Sequence, residues 1–206
     1  MMIGVMMAAM LAVVPRPWTA VKATEGCVSV WGREYAFASN ALPVGVKALG
    51  RDLLAGPMRV VCEDAEGKSI VWKKGGSWVQ AADDESATVC GWSESAEITV
   101  DTVCAWQESE TAAVDATFRV EFDGMAKVSL AIVPGPKSNR SRVKRAWLEI
   151  PMKRECATLY VVSPASWEKL DNVGGVKGPL AWPFRCSVWL GDERAGLCCF
   201  CESDEG

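Results

Sequence analysis

The run TFRVEF at Thr117–Phe122, followed directly by Asp123 and Gly124, carries a strand pattern and a turn pattern side by side. Its side chains alternate between polar and apolar, so that two phenylalanines and a valine lie on one face of an extended chain. Such alternation is typical of an antiparallel strand with one buried face and one solvated face. Asp-Gly is a favoured hairpin corner because glycine accepts a positive φ. The stretch therefore predicts a half-buried strand that turns back into a second one.

Short apolar runs of the same kind recur on both sides of this hairpin. Turn signals separate them at intervals of roughly 8–14 residues, and no long segment has the helical period. Val46–Leu54 is the exception, because its leucines have the spacing of one helical turn. We predict an all-β chain folded as an antiparallel β-sandwich that is incomplete at its C-terminal end. The predicted strands are Cys27–Trp31, Glu34–Ala38, Met58–Glu63, Ser69–Lys73, Ser77–Ala81, Ala87–Ser93, Glu97–Trp106, Ala113–Phe122, Ala126–Val133, Arg145–Pro151 and Ala157–Val162.

The composition excludes several classes of function. The chain has 206 residues, of which 50% are hydrophobic and 23% charged, and its formal net charge is -4. This length can bury a core of its own, and the acidic balance argues against a nucleic-acid partner. Histidine is absent, which excludes Ser-His-Asp triads, Cys-His nucleophiles and histidine-containing zinc sites. Any chemistry would have to use carboxylates, lysine, tyrosine or cysteine.

The N-terminus has the pattern of a targeting segment. Ile3–Val14 carries no charged residue. About 12 apolar residues are too few to span a bilayer, which needs roughly 20, but they suit the hydrophobic region of a secretory signal. Val21 and Ala23 supply the small residues that precede a cleavage site. We therefore predict a signal peptide at 1–23, a mature domain at 24–206, and export to the periplasm or the exterior without a membrane span. A buried strand or helix is the alternative for the apolar run.

Nine cysteines allow more than one interpretation. An exported protein could pair eight of them and leave one thiol over. Most of them, however, lie in apolar, strand-like stretches, where a free cysteine behaves as a small hydrophobe. The cluster of Cys198, Cys199 and Cys201 has no second ligand pair at zinc spacing. We expect it to pack rather than to bind metal, and we expect no cofactor.

Ten tryptophans suggest either a packed core or a sugar-binding surface. An indole fills a core when its N–H finds an acceptor, and its face can also stack on a sugar ring. Trp182 and Trp189 lie beside Pro183 and Gly191, so we expect them to be partly exposed and name them as candidate carbohydrate contacts. Those expected mostly in the core are Trp72, Trp78, Trp92, Trp106 and Trp147.

Adjacent acids are the remaining candidates for catalysis, because glycosidases use two carboxylates. They occur at Asp83–Glu85, Asp192-Glu193 and Asp204-Glu205. Each group also has the composition of an ordinary polar turn. We assign no catalytic residue.

Four blocks of sequence, taken in order, carry a family resemblance. The last of them is Val188–Gly206; it contains Trp189 in the run VWLGDERAGL and Glu202 in the run CESDEG. The upstream blocks are Trp31–Phe37 with Leu42-Pro43 and Leu53–Val60, then Val120–Met125 with Leu130–Pro134, then Leu148–Lys153. In order and separation, the blocks resemble the N-terminal domain of glycoside hydrolase family 123-like proteins, over essentially all of 27–206.

The resemblance implies a β-sandwich that accompanies a catalytic (β/α)₈ barrel in an enzyme acting on N-acetyl-β-galactosaminides. No βαβ alternation is present here, so the barrel would be a missing partner, and Asp204-Glu205 is not its catalytic pair. The motif residues act as corners and ends of strands; they are Asp123, Gly124, Pro151, Trp189, Gly191, Asp192, Gly196 and Glu202.

The function that follows is a non-catalytic accessory domain of an exported glycoside hydrolase. Contact with carbohydrate would come through the parent enzyme. Two alternatives remain open: a stand-alone carbohydrate-binding module that uses an exposed tryptophan, and a structural surface domain without a ligand.

Overall fold

A computed structural model describes residues 14–64, 66–70, 72, 74–95, 112–133, 143–163 and 172–201. These residues form fifteen strands and one 3₁₀ helix, Arg154–Cys156, so the predicted all-β class is confirmed. The strands are β1 Lys22–Thr24, β2 Cys27–Val30, β3 Arg33–Ala36, β4 Gly45–Ala48, β5 Arg51–Asp52, β6 Arg59–Glu63, β7 Lys74–Ala82, β8 Ser86–Ser95, β9 Ala112–Glu121, β10 Ala126–Val133, β11 Arg145–Glu149, β12 Leu159–Val162, β13 Val173–Gly175, β14 Ser187–Gly191 and β15 Gly196–Phe200.

The strands form four antiparallel sheets with a common core. Their orders are β1-β2-β3-β4-β5, β10-β9-β8-β7, β11-β6 and β13-β12-β14-β15. The first two pack face to face, in the manner of a sandwich, around Phe118 of β9. The ring of Phe118 lies 5.4 Å from the ring of Tyr35 and 5.4 Å from the ring of Phe37. Tyr35 belongs to β3 of the first sheet, and Phe37 directly follows that strand. The predicted sandwich-like arrangement of antiparallel sheets is therefore observed.

The β9–β10 hairpin has the structure that its sequence predicts. Val120 pairs with Ala126, and the corner between them contains Asp123 and Gly124. Gly124 has a φ of 86°, which an L side chain rarely adopts. The Met125 amide donates to Oδ1 of Asp123 at 2.8 Å and so completes the turn. In β9, Phe118 and Val120 enter the core, and Arg119 between them faces the solvent.

A close contact joins the second sheet to the loop after β3. A Cβ on Gly91 would lie 2.2 Å from the backbone nitrogen of Ala41, so only glycine permits this approach. Asn40 stabilises the loop, because its Oδ1 accepts a hydrogen bond from the Leu42 amide at 2.8 Å. The result is that Ala41 and Leu42 are buried in the core.

The helical turn expected at Val46–Leu54 is wrong, because this segment is the β4–β5 hairpin. Ala48 pairs with Arg51, and the two residues between them have positive φ values of 50° at Leu49 and 78° at Gly50. These are the dihedrals of a two-residue hairpin turn, which sends the chain back on itself. The leucine spacing arises because Leu49 is at the corner and Leu53 returns to the core.

The tryptophans are less uniformly buried than expected. Trp78 is 43% exposed, because its neighbour Val79 faces the core and strand alternation turns the indole outward. Trp72 packs against the core and donates its indole N–H to the carbonyl of Val60 at 2.9 Å. The predicted strand Glu97–Trp106, which includes Trp106, lies outside the described residues.

The chain before β2 belongs to the packed structure from residue 18 onward. The ring of Trp18 meets Trp31 at 6.3 Å and Phe122 at 5.7 Å. Val21 is buried, and its amide donates to the carbonyl of Asp84 at 3.0 Å. Within the described ranges, no helix has the length and apolar character needed to cross a membrane. The apolar run that suggested a signal peptide lies almost entirely outside those ranges, so the signal peptide stays a prediction.

Candidate functional site

An apolar face is exposed on the sheet β13-β12-β14-β15. Val161 of β12, Trp189 of β14 and Cys198 of β15 are paired across the strands, and directly paired residues point to the same side of a sheet. The same side carries Val173 of β13 and Phe200 of β15, which are 55% and 59% exposed. We call this surface, together with Leu159, the Trp189 face. Because several exposed apolar side chains share one side of the sheet, this face differs from an isolated surface hydrophobe.

Trp189 lies flat along this face because two glycines leave room for its ring. A Cβ on Gly196 would lie 2.7 Å from Cε2 and 2.8 Å from Cζ2 of the indole. A Cβ on Gly191 would likewise collide with the ring. The side chain is half-buried, so one surface of the indole packs on the sheet. Three of the motif residues therefore form one packing unit.

Trp182, the other candidate carbohydrate contact, lies on the opposite side of the same sheet. Its ring centroid is 5.3 Å from that of Tyr160, with the planes inclined at 50°. Tyr160 precedes Val161 in β12, so its side chain points away from the Trp189 face. The two tryptophans therefore cannot form a single stacking platform.

Asp192 joins this sheet to the first one. Its Oδ2 accepts from Nη2 of Arg51 at 2.7 Å, and its Oδ1 accepts from Nη1 at 3.1 Å. Oδ1 also accepts from the backbone amides of Arg194 and Ala195 in the β14–β15 turn. The hydrogen bonds from Arg51 first, and then those from the two amides, hold the pKa of the Asp192 carboxyl well below its usual range. A carboxylate held this strongly serves the fold and is a poor proton donor.

The Asp123-Gly124 corner is held by two side chains of β3. Nη1 of Arg33 donates to the Asp123 carbonyl at 3.0 Å, and the hydroxyl of Tyr35 donates to the Gly124 carbonyl at 3.1 Å. Burial raises the pKa of the Tyr35 phenol; Arg33 opposes this rise and the Asp123 carboxylate adds to it. These two motif residues therefore fasten the second sheet to the first.

Pro151 and Glu202 complete the motif residues. Pro151 follows β11, and its carbonyl accepts from the Ala55 amide at 2.7 Å. Leu54 and Met152 form a bridge beside it, so the proline marks the end of a strand at a buried junction. Glu202 lies outside the described residues.

Other acids with shifted pKa values are also held in structural contacts. Glu149 accepts from Nε of Arg59 at 2.6 Å and from the Trp147 indole at 3.2 Å, and these bonds lower its pKa. Asp83 caps its own turn: the hydrogen bond from the Ser86 amide, and then the one from the Glu85 amide, lower the pKa of its carboxyl. Neither group has the raised pKa of a general acid.

The cysteines for which the structure gives a state are free thiols. Cys198 and Cys199 are neighbours in β15, so their side chains point to opposite sides of the sheet. Partial desolvation raises the pKa of Cys199, and the adjacent thiols of Cys198 and Cys201 add to the effect. Among the described residues, no group of three or more Cys, Asp or Glu side chains has an arrangement that could hold a metal ion.

A cavity that the sequence did not suggest lies on the first sheet. It has a volume of about 340 Å³ and is lined by Lys22, Trp31, Arg33, Lys47 and Leu49, among others. Trp31 is 44% exposed and Leu49 is 76% exposed. The residues come from β1, β3, β4 and two hairpin corners, so only the paired strands bring them together. The part of this cavity that the sequence could have indicated is the hairpin corner at Leu49-Gly50.

Comparison with known proteins identifies one family. The family model described as "Glycoside hydrolase 123, third domain" matches residues 21–205. The expected family is thus confirmed, and the matching model describes the third domain, whereas the resemblance had suggested the N-terminal domain. A search of curated proteins finds no match.

Proposed function

The chain belongs to the glycoside hydrolase 123 third-domain family, and from this premise we propose that it is a non-catalytic domain supporting the catalytic barrel of an exported glycoside hydrolase. The parent activity would be hydrolysis of N-acetyl-β-galactosaminides, which the family resemblance implies. The observation that carries the non-catalytic role is the state of the acids. Asp192, Glu149 and Asp83 have lowered pKa values, and each is held by arginine or by turn amides.

A glycosidase needs the opposite arrangement. Its general acid has a raised pKa, which keeps the group protonated so that it can donate to the leaving group. The acids at Asp83–Glu85 and at Asp192-Glu193 lie instead in hairpin turns. An enzymatic assay tests the proposal directly. The purified chain should release no aryl leaving group from an aryl N-acetyl-β-galactosaminide above the buffer rate. Turnover that disappears on changing one carboxylate would overturn it.

The Trp189 face supports the accessory role. The side chains of Val161, Val173 and Phe200 are exposed on this sheet. Covering them with another surface would be favourable by about 25 cal/mol per Å² of apolar area buried. We propose that the barrel of the parent enzyme is that surface. Val161→Lys and Phe200→Glu should leave the melting temperature of the isolated chain unchanged and reduce its self-association in light scattering. A large loss of stability in both variants would show that the face belongs to the chain's own core.

Carbohydrate binding at Trp189 is the second candidate, and one observation favours it. The indole rests on Gly191 and Gly196 and so presents a flat ring on an open face. Titration with N-acetylgalactosamine, followed by tryptophan fluorescence, separates the two roles. Quenching that is lost in Trp189→Ala, and kept in Trp182→Ala, would favour the binding module over the docking role.

Export is the third part of the proposal, and family membership supports it. Expression in a bacterium should place the chain in the periplasm with an N-terminus near Thr24. Cleavage there would divide β1, because Lys22 pairs with Ser29 and Val21 is buried. The mass of the exported chain therefore decides whether processing occurs before Thr24 or upstream of Trp18. An intact Met1 on cytoplasmic protein would contradict export.

A further inference from the structure

We propose that the cavity at Trp31 binds an acidic saccharide, a pyranose ring that carries a carboxylate or a sulfate group. The site lies on the first sheet, and Trp189 is on another sheet. It would therefore be present whether or not a barrel covers the Trp189 face.

The apolar wall consists of Trp31 and Leu49. Both side chains are more than two-fifths exposed, at 44% and 76%, and both line the cavity of about 340 Å³. That volume lies near the lower limit of small-molecule sites and suits one ring-sized ligand. An exposed indole next to polar side chains is the usual platform for stacking a ring that has one apolar face.

The charges select an anion. Lys22 and Lys47 lie on the same side of the sheet as Glu34, the one carboxylate that lines the cavity, which leaves a net charge of plus one there. The whole chain has a formal charge of -4, so this positive region is not a general property of the surface. Arg33 also lines the cavity, but it neighbours Glu34 in β3, so its side chain extends to the opposite side of the sheet, where the guanidinium donates to the Asp123 carbonyl.

The contact between Lys47 and Glu34 is weak enough to be exchanged. Nζ of Lys47 lies 3.5 Å from Oε2 of Glu34, and both side chains are about half exposed. Exposed pairs of this kind contribute little stability and are screened by salt. An anionic ligand can therefore take up Lys47 without breaking the fold.

Leu49 provides the independent observation. It is a non-glycine residue with a φ of 50° at a hairpin corner, where glycine or asparagine is usual. Its Cδ2 lies against Gly32, where a Cβ would be 3.2 Å away, and this places the leucine beside Trp31. A strained backbone that holds an exposed leucine gives the fold no evident benefit, and strain of this kind is concentrated at binding sites.

The test is a titration of the full chain, followed by nuclear magnetic resonance of the tryptophan indole N–H groups. The probes are N-acetylgalactosamine 6-sulfate, glucuronic acid and neutral N-acetylgalactosamine. We expect the two acidic sugars to shift the Trp31 signal, to bind more tightly than the neutral sugar, and to weaken as salt is raised. Comparison of the two acidic probes tells which anionic group is preferred. Equal affinity for the neutral sugar would overturn the proposal.

Variants connect the binding to these residues. Trp31→Ala should weaken binding of the acidic sugar by about tenfold, the order expected for loss of an aromatic contact. Trp78→Ala is the matched control, because Trp78 is equally exposed on a different sheet, at 43%. Lys47→Gln should weaken acidic sugars only, whereas Lys127→Gln should change nothing. Unchanged affinity in Trp31→Ala would refute the site.

Leu49→Gly separates binding from folding. It relieves the positive φ, so the melting temperature should rise, while affinity for the acidic sugar should fall because half of the apolar wall is gone. A structural role for Leu49 alone requires the reverse, a lower melting temperature with unchanged binding, and that result would overturn the proposal.

Discussion

Arg51 and Asp192, which are 141 positions apart in the chain, form a two-point ion pair with contacts of 2.7 and 3.1 Å. Arg51 begins β5 in the first sheet, and Asp192 opens the turn between β14 and β15. This ion pair thus links two sheets, and the same carboxylate also orders its own turn. Planar, two-point contacts of this kind are geometrically specific, and lysine cannot reproduce them.

Asp192→Asn should lower the melting temperature at neutral pH. It should also make the melting temperature vary less with pH in the acid range. The low pKa of Asp192 means that its stabilising contribution is present above the unfolded value, about 3.9, and is lost as the pH falls toward the folded value. Thermal melts between pH 7 and pH 3 measure this. Glu193→Gln, in the same turn, is the control and should reproduce the parent curve.

Phe118→Ala should cost about 3–5 kcal/mol in free energy of unfolding, because it removes the ring that packs on both Tyr35 and Phe37. Chemical denaturation followed by fluorescence measures the loss. Trp78→Ala, which removes a larger but exposed ring, should cost far less. Similar costs for the two variants would mean that the two sheets do not share this core.

Tyr35→Phe should cost about 1 kcal/mol, because it removes one hydrogen bond to the Gly124 carbonyl and keeps the packed ring. In the parent chain, burial raises the pKa of this phenol. The unfolded chain therefore ionises first, and this part of the stability is present below about pH 10 and lost above it. Ultraviolet titration of the phenolate band should show a late-titrating tyrosine that Tyr35→Phe lacks.

Gly196→Ala should cost about 1–3 kcal/mol, because the added Cβ enters the space of the Trp189 ring. The emission of Trp189 should shift as the ring is displaced. Gly178→Ala is the matched control, since a Cβ there meets nothing within 4 Å. A silent Gly196→Ala variant would show that the indole does not lie on the sheet.

The strands that could be predicted are those in which burial imposes a period of two. Thr117–Phe122 and Ala126–Val133 were located because alternate side chains enter one core, and the Asp-Gly corner between them has a strong local preference. Val46–Leu54 failed because its corner residue, Leu49, has a backbone conformation that its side chain disfavours. Sequence patterns report average preferences, so a strained position gives the wrong signal.

The residues of the candidate sites likewise differ in whether the sequence alone could predict their roles. Gly191, Asp192 and Gly196 could be recognised as architectural, because turns and close approaches restrict the residue types that fit. The partner of Asp192, Arg51, could not, since no pattern connects residues in different sheets. The cavity at Trp31 was missed for the same reason, because strand pairing alone assembles it.

The alternation of thiols in β15 provides the molecule with two built-in reporters. Cys198 shares a side of the sheet with Trp189, while Cys199 points to the other side. A maleimide dye on Cys198 would therefore sense whatever covers the Trp189 face, and one on Cys199 would not. The raised pKa of Cys199 lowers its thiolate fraction at neutral pH, which slows its labelling. Variants that keep either Cys198 or Cys199, with the exposed thiols of Cys186 and Cys201 replaced by serine, would read the two sides of the sheet separately.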